Sequence, residues 1–458
     1  MYPALGNVTI VGMGRTALAL AKLVLLKGGA PFVTEAAGRE TVAPFCRELD
    51  RMGVPFECGG HSAQAFKGVK FVVPSPGVPP DIEPIRSAHG AGAEVLGELE
   101  LAWRYCPAKI LAVTGTNGKT TTTELVRNLV AACGHTVVLA GNNDVPFSAA
   151  VMAEPPPEFI VLEVSSYQLE TVREFRPWIA AVLNITPDHL ARHASMEKYA
   201  EVKARIFARQ RPGDIAVINA DDERTRELTP PDNVALWTFS LETRQANGLW
   251  LDRDTIRAGS TPVAGAADVH LPGRHNLQNA LAALTIMRAG RFDWGSTVEA
   301  LRRFQGVEHR IEYVCDIAGV RFYNDSKSTN IDSLRAALDS FEAPVVLIAG
   351  GRGKGADYRT LRAAVQAHVK AMVLIGEDAP QLAEAFSDLV HTQRAGAMDD
   401  AVACAMAQAR AGDVVLLSPA CASFDMYRDF AHRGRVFKEA VTRHAETRRA
   451  KRRETAQP

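Results

Sequence analysis

Over most of its length the chain alternates between short, almost wholly apolar runs and longer stretches in which apolar residues recur every three or four positions. A short β-branched run suits a strand buried on both faces, and the three-to-four recurrence suits a helix with one buried side. The pattern predicts strands at Val8–Val11, Val69–Val73, Ile110–Val113, Phe159–Val164, Ala180–Leu183, Ile215–Ile218, Val345–Ala349, Ala371–Ile375 and Val414–Ser418. It predicts helices at Thr16–Lys27, Thr120–Ala132, Met196–Arg209, Asn276–Ala289 and Asp332–Ser340. Alternation of this kind builds parallel sheets with crossover helices, so the expected class is α/β throughout.

At 458 residues the chain exceeds one ordinary core, and about 150 residues per domain gives about three domains. One boundary is expected within Gly97–Pro107, where a helix-like stretch ends at Cys106-Pro107 just before a new strand. A second is expected within Phe304–Arg310, ahead of a strand pair at Ile311–Asp316 and Val320–Tyr323. The resulting division is 1–98, 99–306 and 307–458. The tail from Arg443 carries six basic residues against two glutamates and no apolar period, which reads as a frayed, solvated terminus.

Composition narrows the function classes. Lysine plus arginine equals aspartate plus glutamate at 52 each, so no global charge favours nucleic acid or a membrane surface, and an anionic ligand must be held locally. The N-terminal residues lack the pattern of a secretory signal, and the longest apolar runs fall far short of the roughly 20 residues that span a bilayer. A cytoplasmic protein is expected. The seven cysteines form no CxxC pair and no metal-ligand spacing, and are read as reduced, packed thiols.

The strongest chemical signal follows the strand at Ile110–Val113: Thr114-Gly115-Thr116-Asn117-Gly118-Lys119-Thr120-Thr121, running straight into a helix. Strand, glycine-rich turn and helix together aim backbone N–H groups and a helix N-terminus at one point, the arrangement that holds phosphate. Lys119 adds a point charge and Thr120 a hydroxyl for Mg²⁺, so a nucleoside triphosphate is the expected guest. The general phosphate-loop pattern has four residues between its glycines, whereas this turn has two. Near the N-terminus, Gly12-Met13-Gly14-Arg15-Thr16-Ala17 also lies between strand and helix, with Glu35 near the end of the next strand. That is nearly a dinucleotide fingerprint, with Ala17 in place of its third glycine.

Other residues have two readings on their own. Glu163 ends a buried-looking strand, where a carboxylate needs a partner or a cation. His189, after the strand at Ala180–Leu183, would ordinarily be a core or surface histidine, and Lys203 a solvated helix lysine. Asn276 suits a helix cap and Asn279 an exposed face. Asn324-Asp325 suits an Asx turn, which leaves Lys327 unexplained.

The turn TGTNGKTT resembles that of the Mur ligase family and of its folate-polyglutamylating relatives. Six further segments follow in the family's order: Leu162–Glu170, Asn184–Leu190, Gly273–Ala280, His309-Arg310, Asn324–Asn330 and Gly350–Asp357, with Leu417–Asp425 after them. Within the family, SSYQLE, NDSKSTN and SPACASFD together resemble the branch that joins D-glutamate to UDP-N-acetylmuramoyl-L-alanine in peptidoglycan synthesis. The resemblance implies a Rossmann-like N-terminal domain, a phosphate-loop ATP-binding central domain and a Rossmann-like C-terminal domain. It also implies ATP, two Mg²⁺ ions and a monomer.

Residue by residue, the resemblance implies that Gly115, Thr116, Asn117, Gly118, Lys119, Thr120 and Thr121 hold ATP, with His275, Asn276, Asn279, Arg310 and Asp325. Thr120, Glu163, His189 and a carbamylated Lys203 would bind metal. Gly14, Thr16, Glu35, Ser75, Pro76, Gly77 and Asn142 would contact the UDP-linked acceptor. Lys327, Thr329, Lys354, Ser423 and Phe430 would hold glutamate. Lys119, His189, Lys203, Asp325 and Lys327 would take part in catalysis. Two departures fall on the acceptor side: Ala36-Ala37 follow Glu35 where polar or basic groups are usual, and Gly141-Asn142-Asn143-Asp144 replaces Gly-Asn-Ile-Gly. The rival readings are a folylpolyglutamate synthase or another Mur ligase, a non-catalytic nucleotide-sugar sensor and an NAD-dependent oxidoreductase. The last rests on GMGRTA alone and leaves the triphosphate turn unexplained.

Overall fold

The apolar runs become three sheets in a computed structural model that describes residues 5–143, 145–188, 190–353 and 355–455. The first sheet contains β1 (Asn7–Val11), β2 (Ala30–Glu35), β3 (Phe56–Cys58), β4 (Phe71–Pro74) and β5 (Glu94–Val95), all parallel, in the order 3-2-1-4-5. The chain reverses its direction of winding between β1 and β4, and a crevice at the C-terminal ends of neighbouring strands is the general consequence.

The second sheet has nine strands in the order 14-13-12-11-10-9-6-8-7. They are β6 (Lys109–Thr114), β7 (Val137–Gly141), β8 (Phe159–Glu163), β9 (Ile179–Val182), β10 (Ile215–Asn219), β11 (Ala235–Ser240), β12 (Gly248–Asp252), β13 (Thr255–Ala258) and β14 (Thr261–Gly265). Six central strands and β12 pair in parallel, while β12–β14 form an antiparallel meander. That meander departs from the expected all-parallel pattern. Its strands are short and polar on one side, and the turn at Arg253, with φ +55°, joins them too tightly for a crossover helix.

The third sheet, in the order 15-16-20-17-18-19, contains β15 (Glu312–Ile317), β16 (Val320–Asn324), β17 (Val345–Gly350), β18 (Val369–Ile375), β19 (His391–Arg394) and β20 (Val414–Leu417). All its pairs are parallel except β15–β16. Every residue of β17 and β20 is buried, so each Val, Leu or Ile there contributes roughly 1.5–3 kcal/mol of burial.

The chain forms two compact units, residues 1–268 with 278–302 and residues 269–277 with 303–458. Within the first, the segment expected to hold a boundary is a buried helix, Glu98–Trp103. Glu100, fully buried, accepts the N–H groups of Arg173, Glu174 and Phe175 at 2.9, 3.0 and 3.0 Å, and Glu98 accepts that of Ser148 at 2.6 Å. Two carboxylates thus replace water at exposed backbone donors, and the joint between the first two sheets is packed.

Two helix ends differ from the periodicity. The helix expected to reach Arg209 stops at Ala204, because residues 206–208 close tighter three-residue turns that bury Ile206 and Phe207. The tail expected to fray is instead the end of a 26-residue helix, Phe430–Thr455. Among the described residues no helix is long and apolar enough to cross a membrane.

Candidate active site

The loop after β6 meets the helix Lys119–Ala132, and Gly118 is the N-cap. Its φ of +83° is left-handed, and a Cβ there would lie 2.1 Å from Asn279 Oδ1, so both the turn and the close approach of Asn279 require glycine. The loop is braced from below by residues after β9. Asn184 accepts the Asn117 N–H at 2.8 Å and donates to its carbonyl at 3.1 Å, while its own carbonyl accepts the Thr116 N–H at 2.9 Å. Thr116 Oγ1 accepts the Thr186 N–H at 3.0 Å and lies 3.3 Å from the Tyr199 hydroxyl. Asn184 and Tyr199 carry no role in the sequence reading, although Asn184 opens one of the motif segments and Tyr199 lies on the expected helix of Lys203.

Lys119 donates to the carbonyls of Gly115 and Thr116 at 2.9 and 2.7 Å, so its amine curls back over the loop. Lys203 approaches the same loop from the helix Met196–Ala204. Its side chain is 1% exposed, donates to the Gly115 carbonyl at 2.8 Å and lies 4.6 Å from the Tyr199 ring centroid. Burial, with the Lys119 charge adding to it, pulls its pKa down to about 6, so near neutral pH the amine is largely unprotonated. The solvated-lysine reading of Lys203 is therefore set aside.

Glu163 ends β8 beside the phosphate loop, in register with Val113 of β6. It is 4% exposed; Oε1 accepts from the Asn142 amide at 3.0 Å and Oε2 is buried without a partner among the described residues. An orphaned buried carboxylate oxygen is costly, and a cation is the natural occupant opposite it. Among the described residues no group of three His, Cys, Asp or Glu side chains gathers for a metal. His189 lies outside the described residues, and Lys203 offers oxygen only as a carbamate. The donor set that remains, a free carboxylate oxygen beside a hydroxyl-bearing phosphate loop, fits Mg²⁺.

The SSYQLE segment gives part of its sequence to local folding. Ser165 and Gln168 form a capping box at the start of the helix Ser166–Leu169. Ser166 then holds the buried His193 ring at 3.0 Å, which stacks on Tyr167. Tyr167 and Gln168 line a cleft with Ser75, Pro76 and Gly97. That places two expected acceptor residues, Ser75 and Pro76, against the central sheet's motif.

In the N-terminal sheet, Gly12 has φ +98° and a Cβ there would meet Ser75 Oγ at 2.8 Å, so the turn after β1 and the loop after β4 touch across the crevice. Glu35 accepts the N–H groups of Met13 at 2.6 Å and Ala37 at 2.8 Å. Oε2 thus braces the glycine turn that contains Gly14 and leads to Thr16, while Oε1 holds the chain just after β2. The side chain of Asn142 is engaged by Glu163, as described.

In the second unit, β16 and β20 end side by side and carry the loops 324–330 and 418–425. Asp325 is 4% exposed, accepting the Ser418 hydroxyl at 2.8 Å and the Ile311 N–H at 3.2 Å. Burial drives its pKa up to about 7, with Arg310 opposing the rise. The flanking residues His309 and Ile311 have φ of +66° and +45°; for a β-branched residue this is strained, and such strain persists only where the surroundings hold it. Arg310 Nε is buried with no partner among the described residues. Lys327 Nζ lies 5.6 Å from the Phe430 ring centroid, which brings two of the expected glutamate residues together. Thr329 is half-buried on the same loop, and Ser423 is buried on its neighbour. Lys354 lies outside the described residues.

Near the start of the second unit, the Asn276 amide donates to the Pro272 carbonyl at 2.7 Å from within the first turn of the helix Arg274–Ala289, so it does not serve as that helix's N-cap, and His275 is exposed. One further residue has no place in the sequence reading: Arg433, on the helix Phe430–Thr455, is fully buried beneath the loops.

Comparison with known proteins gives three matches along the chain. Residues 6–97 match the Mur ligase MurD-like N-terminal domain, residues 113–287 the Mur ligase middle domain, and residues 309–421 the Mur ligase glutamate ligase domain. The UDP-N-acetylmuramoylalanine--D-glutamate ligase of Pelotomaculum thermopropionicum is 42% identical over 95% of this chain and 97% of its own length. That of Acidobacterium capsulatum is 39% identical over 96% of each chain. Among solved structures, UDP-N-acetylmuramate-alanine ligase from Thermotoga maritima superposes with a TM-score of 0.56 at 20% identity, over 96% of this chain and 99% of that one. The MurF ligase of the same organism in complex with ADP gives 0.56 at 17% identity, over 98% and 100%. The structures share the fold, and the near full-length sequence identity decides the relationship: the chain belongs to the Mur ligase family.

Proposed function

We propose that this chain joins D-glutamate to UDP-N-acetylmuramoyl-L-alanine at the expense of ATP, as a step of peptidoglycan synthesis in the cytoplasm. The observation that carries the reading is the convergence, at the ends of β6 and β8, of a glycine-dependent phosphate loop, the orphaned Glu163 oxygen and the buried Lys203 amine.

The alanyl carboxylate of the acceptor attacks the γ-phosphorus of ATP, giving an acyl phosphate and ADP. The loop 114–121 holds the phosphates through its N–H groups, and Lys119, already folded over the loop, opposes charge on the transferring group. The amine of glutamate, having lost a proton, then attacks the acyl carbon, and the tetrahedral adduct expels phosphate and leaves an amide. Lys327 and Phe430 with Thr329, Ser423 and Lys354 would receive glutamate, Arg310 and Asp325 with His275, Asn276 and Asn279 would complete the ATP site, and Gly14, Thr16, Glu35 and Ser75–Gly77 would face the UDP part. Mg²⁺ would be held by Glu163, Thr120, His189 and carbamylated Lys203, and supplies charge neutralisation for phosphoryl transfer. Lys203 is suited to carbamylation because only an unprotonated amine adds CO₂. The division into 1–98, 99–306 and 307–458 assigns one substrate to each part, and a monomer suffices.

The test supplies purified protein with ATP, Mg²⁺ and UDP-N-acetylmuramoyl-L-alanine and then offers D-glutamate, L-glutamate, L-lysine and meso-diaminopimelate in parallel. Phosphate release is expected with D-glutamate alone and should be abolished by Lys119→Ala. Release with none of the four would defeat the reading.

A further inference from the structure

Arg433 stands on the buried face of its helix, at 0% exposure, with all three guanidinium nitrogens engaged. Nε donates to the Ser326 hydroxyl at 3.0 Å and Nη2 to the Ser326 carbonyl at 2.9 Å. Nη1 and Nη2 both donate to the Cys421 carbonyl at 3.1 Å, and Nη1 also reaches the carbonyls of Ala422 and Gly350 at 3.4 Å. These four acceptor residues belong to three loops at the ends of β16, β20 and β17. Each of those loops carries a residue assigned above to the glutamate site: Lys327, Ser423 and Lys354 respectively.

The bonding is unusual in kind. A buried arginine normally faces a carboxylate, which returns part of the cost of removing the charge from water. Here the hydrogen-bond acceptors are carbonyls and one hydroxyl, and burial pulls the guanidinium pKa down to about 10. The group stays charged near neutral pH, yet among the described residues no ion pair offsets its burial. A fold selected for stability alone would place an apolar side chain there, as it does at Phe437, Ala440 and Val441 on the same helix. The surroundings are also built around the contact: a Cβ at Gly351 would lie 3.1 Å from Arg433 Nη1 and 2.2 Å from the Ala422 carbonyl oxygen. Replacing the guanidinium by a shorter group would leave carbonyls of three loops without their shared donor.

We propose that Arg433 is the positioning residue of the glutamate site, a buried fork that fixes the loops after β16, β17 and β20 in mutual register so that their side chains converge on one amino acid. The inference rests on the assignment of these loops to glutamate. Arg433 itself does not touch substrate. Its fixed planar geometry, rather than its charge alone, holds the three loops, because Nε and Nη2 bond the loop after β16, Nη1 and Nη2 the loop after β20, and Nη1 the end of β17.

Full-length Arg433→Lys and Arg433→Met are compared with the unaltered protein by two measurements. In hydrogen exchange, segments 324–330, 350–353 and 419–425 should each lose protection by about tenfold or more, with β17 and β20 retaining theirs. In steady-state kinetics the KM for glutamate should rise about tenfold or more while that for the UDP-linked acceptor stays within about threefold. Lysine, which keeps the charge but loses the fork, should fall between the unaltered protein and the methionine variant in both measurements. Deprotection of only one loop, equal deprotection of β17 and β20, or a glutamate KM unchanged in both variants would each overturn the inference. If the unaltered protein released no phosphate with any amino acid, the ligase reading would fall, and the exchange pattern would still decide whether Arg433 holds three loops or none.

Discussion

Asp325 offers a quantitative handle on the second unit, because its carboxyl is almost fully buried and its pKa is raised from 3.8 to about 7. The cause is desolvation, which the Ser418 and Ile311 hydrogen bonds only partly offset. Across the window between those two values the folded protein keeps a proton that the unfolded chain has released. Stability must therefore fall as pH rises from about 4 to about 7, and level off above. Between pH 5 and pH 8 the loss comes to about 2–3 kcal/mol at about 1.4 kcal/mol per pH unit. Asp325→Asn removes the titration while keeping the shape: the amide oxygen can accept from Ile311 N–H and the amide nitrogen can donate to Ser418. The variant should gain about 2–3 kcal/mol on the unaltered protein between pH 5 and pH 8, while losing activity if Asp325 serves ATP. All five tryptophans lie in the first unit, so tryptophan fluorescence does not report on this region. Amide exchange of Val345–Ala349 and Val414–Leu417, corrected for intrinsic rates, does. The ratio of protection between variant and unaltered protein should grow roughly 30- to 150-fold from the lower pH to the higher. A ratio that did not change with pH would show that Asp325 ionises normally, and would refute the reasoning.

Gly118→Ala should cost about tenfold or more in affinity for a non-hydrolysable ATP analogue, read by calorimetry, because the added methyl enters Asn279 in a left-handed turn; an unchanged Kd would show that the loop does not hold nucleotide. Glu100→Ala leaves the N–H groups of Arg173, Glu174 and the buried Phe175 without their shared acceptor and should destabilise the first unit by about 2–3 kcal/mol, measured by tryptophan-detected thermal unfolding. A midpoint shift under about 2 °C would contradict the role given to that carboxylate. Exhaustive removal of CO₂ and bicarbonate should lower phosphate release and restoring bicarbonate should recover it, with a carbamate carbon visible by NMR of ¹³C-bicarbonate-treated protein; full activity without CO₂ would exclude a carbamylated Lys203.

The strands of the sheets' centres were legible because a parallel strand covered on both faces must be apolar throughout, and Val8–Val11, Ile110–Val113 and Val345–Ala349 can hardly be anything else. The meander β12–β14 was not, since half-buried Trp250 and Arg257 sit beside fully buried Leu249 and Ile256 and give a mixed pattern. Helix ends were missed where tertiary contacts decide them, as at Ile206 and Phe207. The phosphate loop was readable because strand, glycine turn and lysine are adjacent in sequence. Its brace at Asn184, 67 residues from Asn117, is a partnership made only by the order of β6 and β9 in the sheet. Glu35 shows the reverse case: the fingerprint placed it correctly near the turn, and the fold uses both its oxygens on backbone N–H groups.

Arg433 had a signal that helical periodicity could have caught. With Phe430, Phe437, Ala440 and Val441 it falls on one stripe of its helix, and a lone arginine on an otherwise apolar stripe needs a reason. The same question joins it to Lys203 and Asp325. All three are ionisable groups at most 4% exposed, and each has its pKa moved toward the neutral form by burial. Among the described residues none is matched by a buried counter-charge in direct hydrogen bond; their partners are carbonyls, hydroxyls and an N–H. Apolar replacements of similar volume would remove those desolvation costs, so packing does not account for any of them. What they share is position, at the C-terminal ends of parallel strands or directly beneath the loops there, where an α/β sheet receives its ligands. A buried ionisable group without a counter-charge at those ends is therefore the mark by which the chemistry of this protein can be located even where no motif announces it.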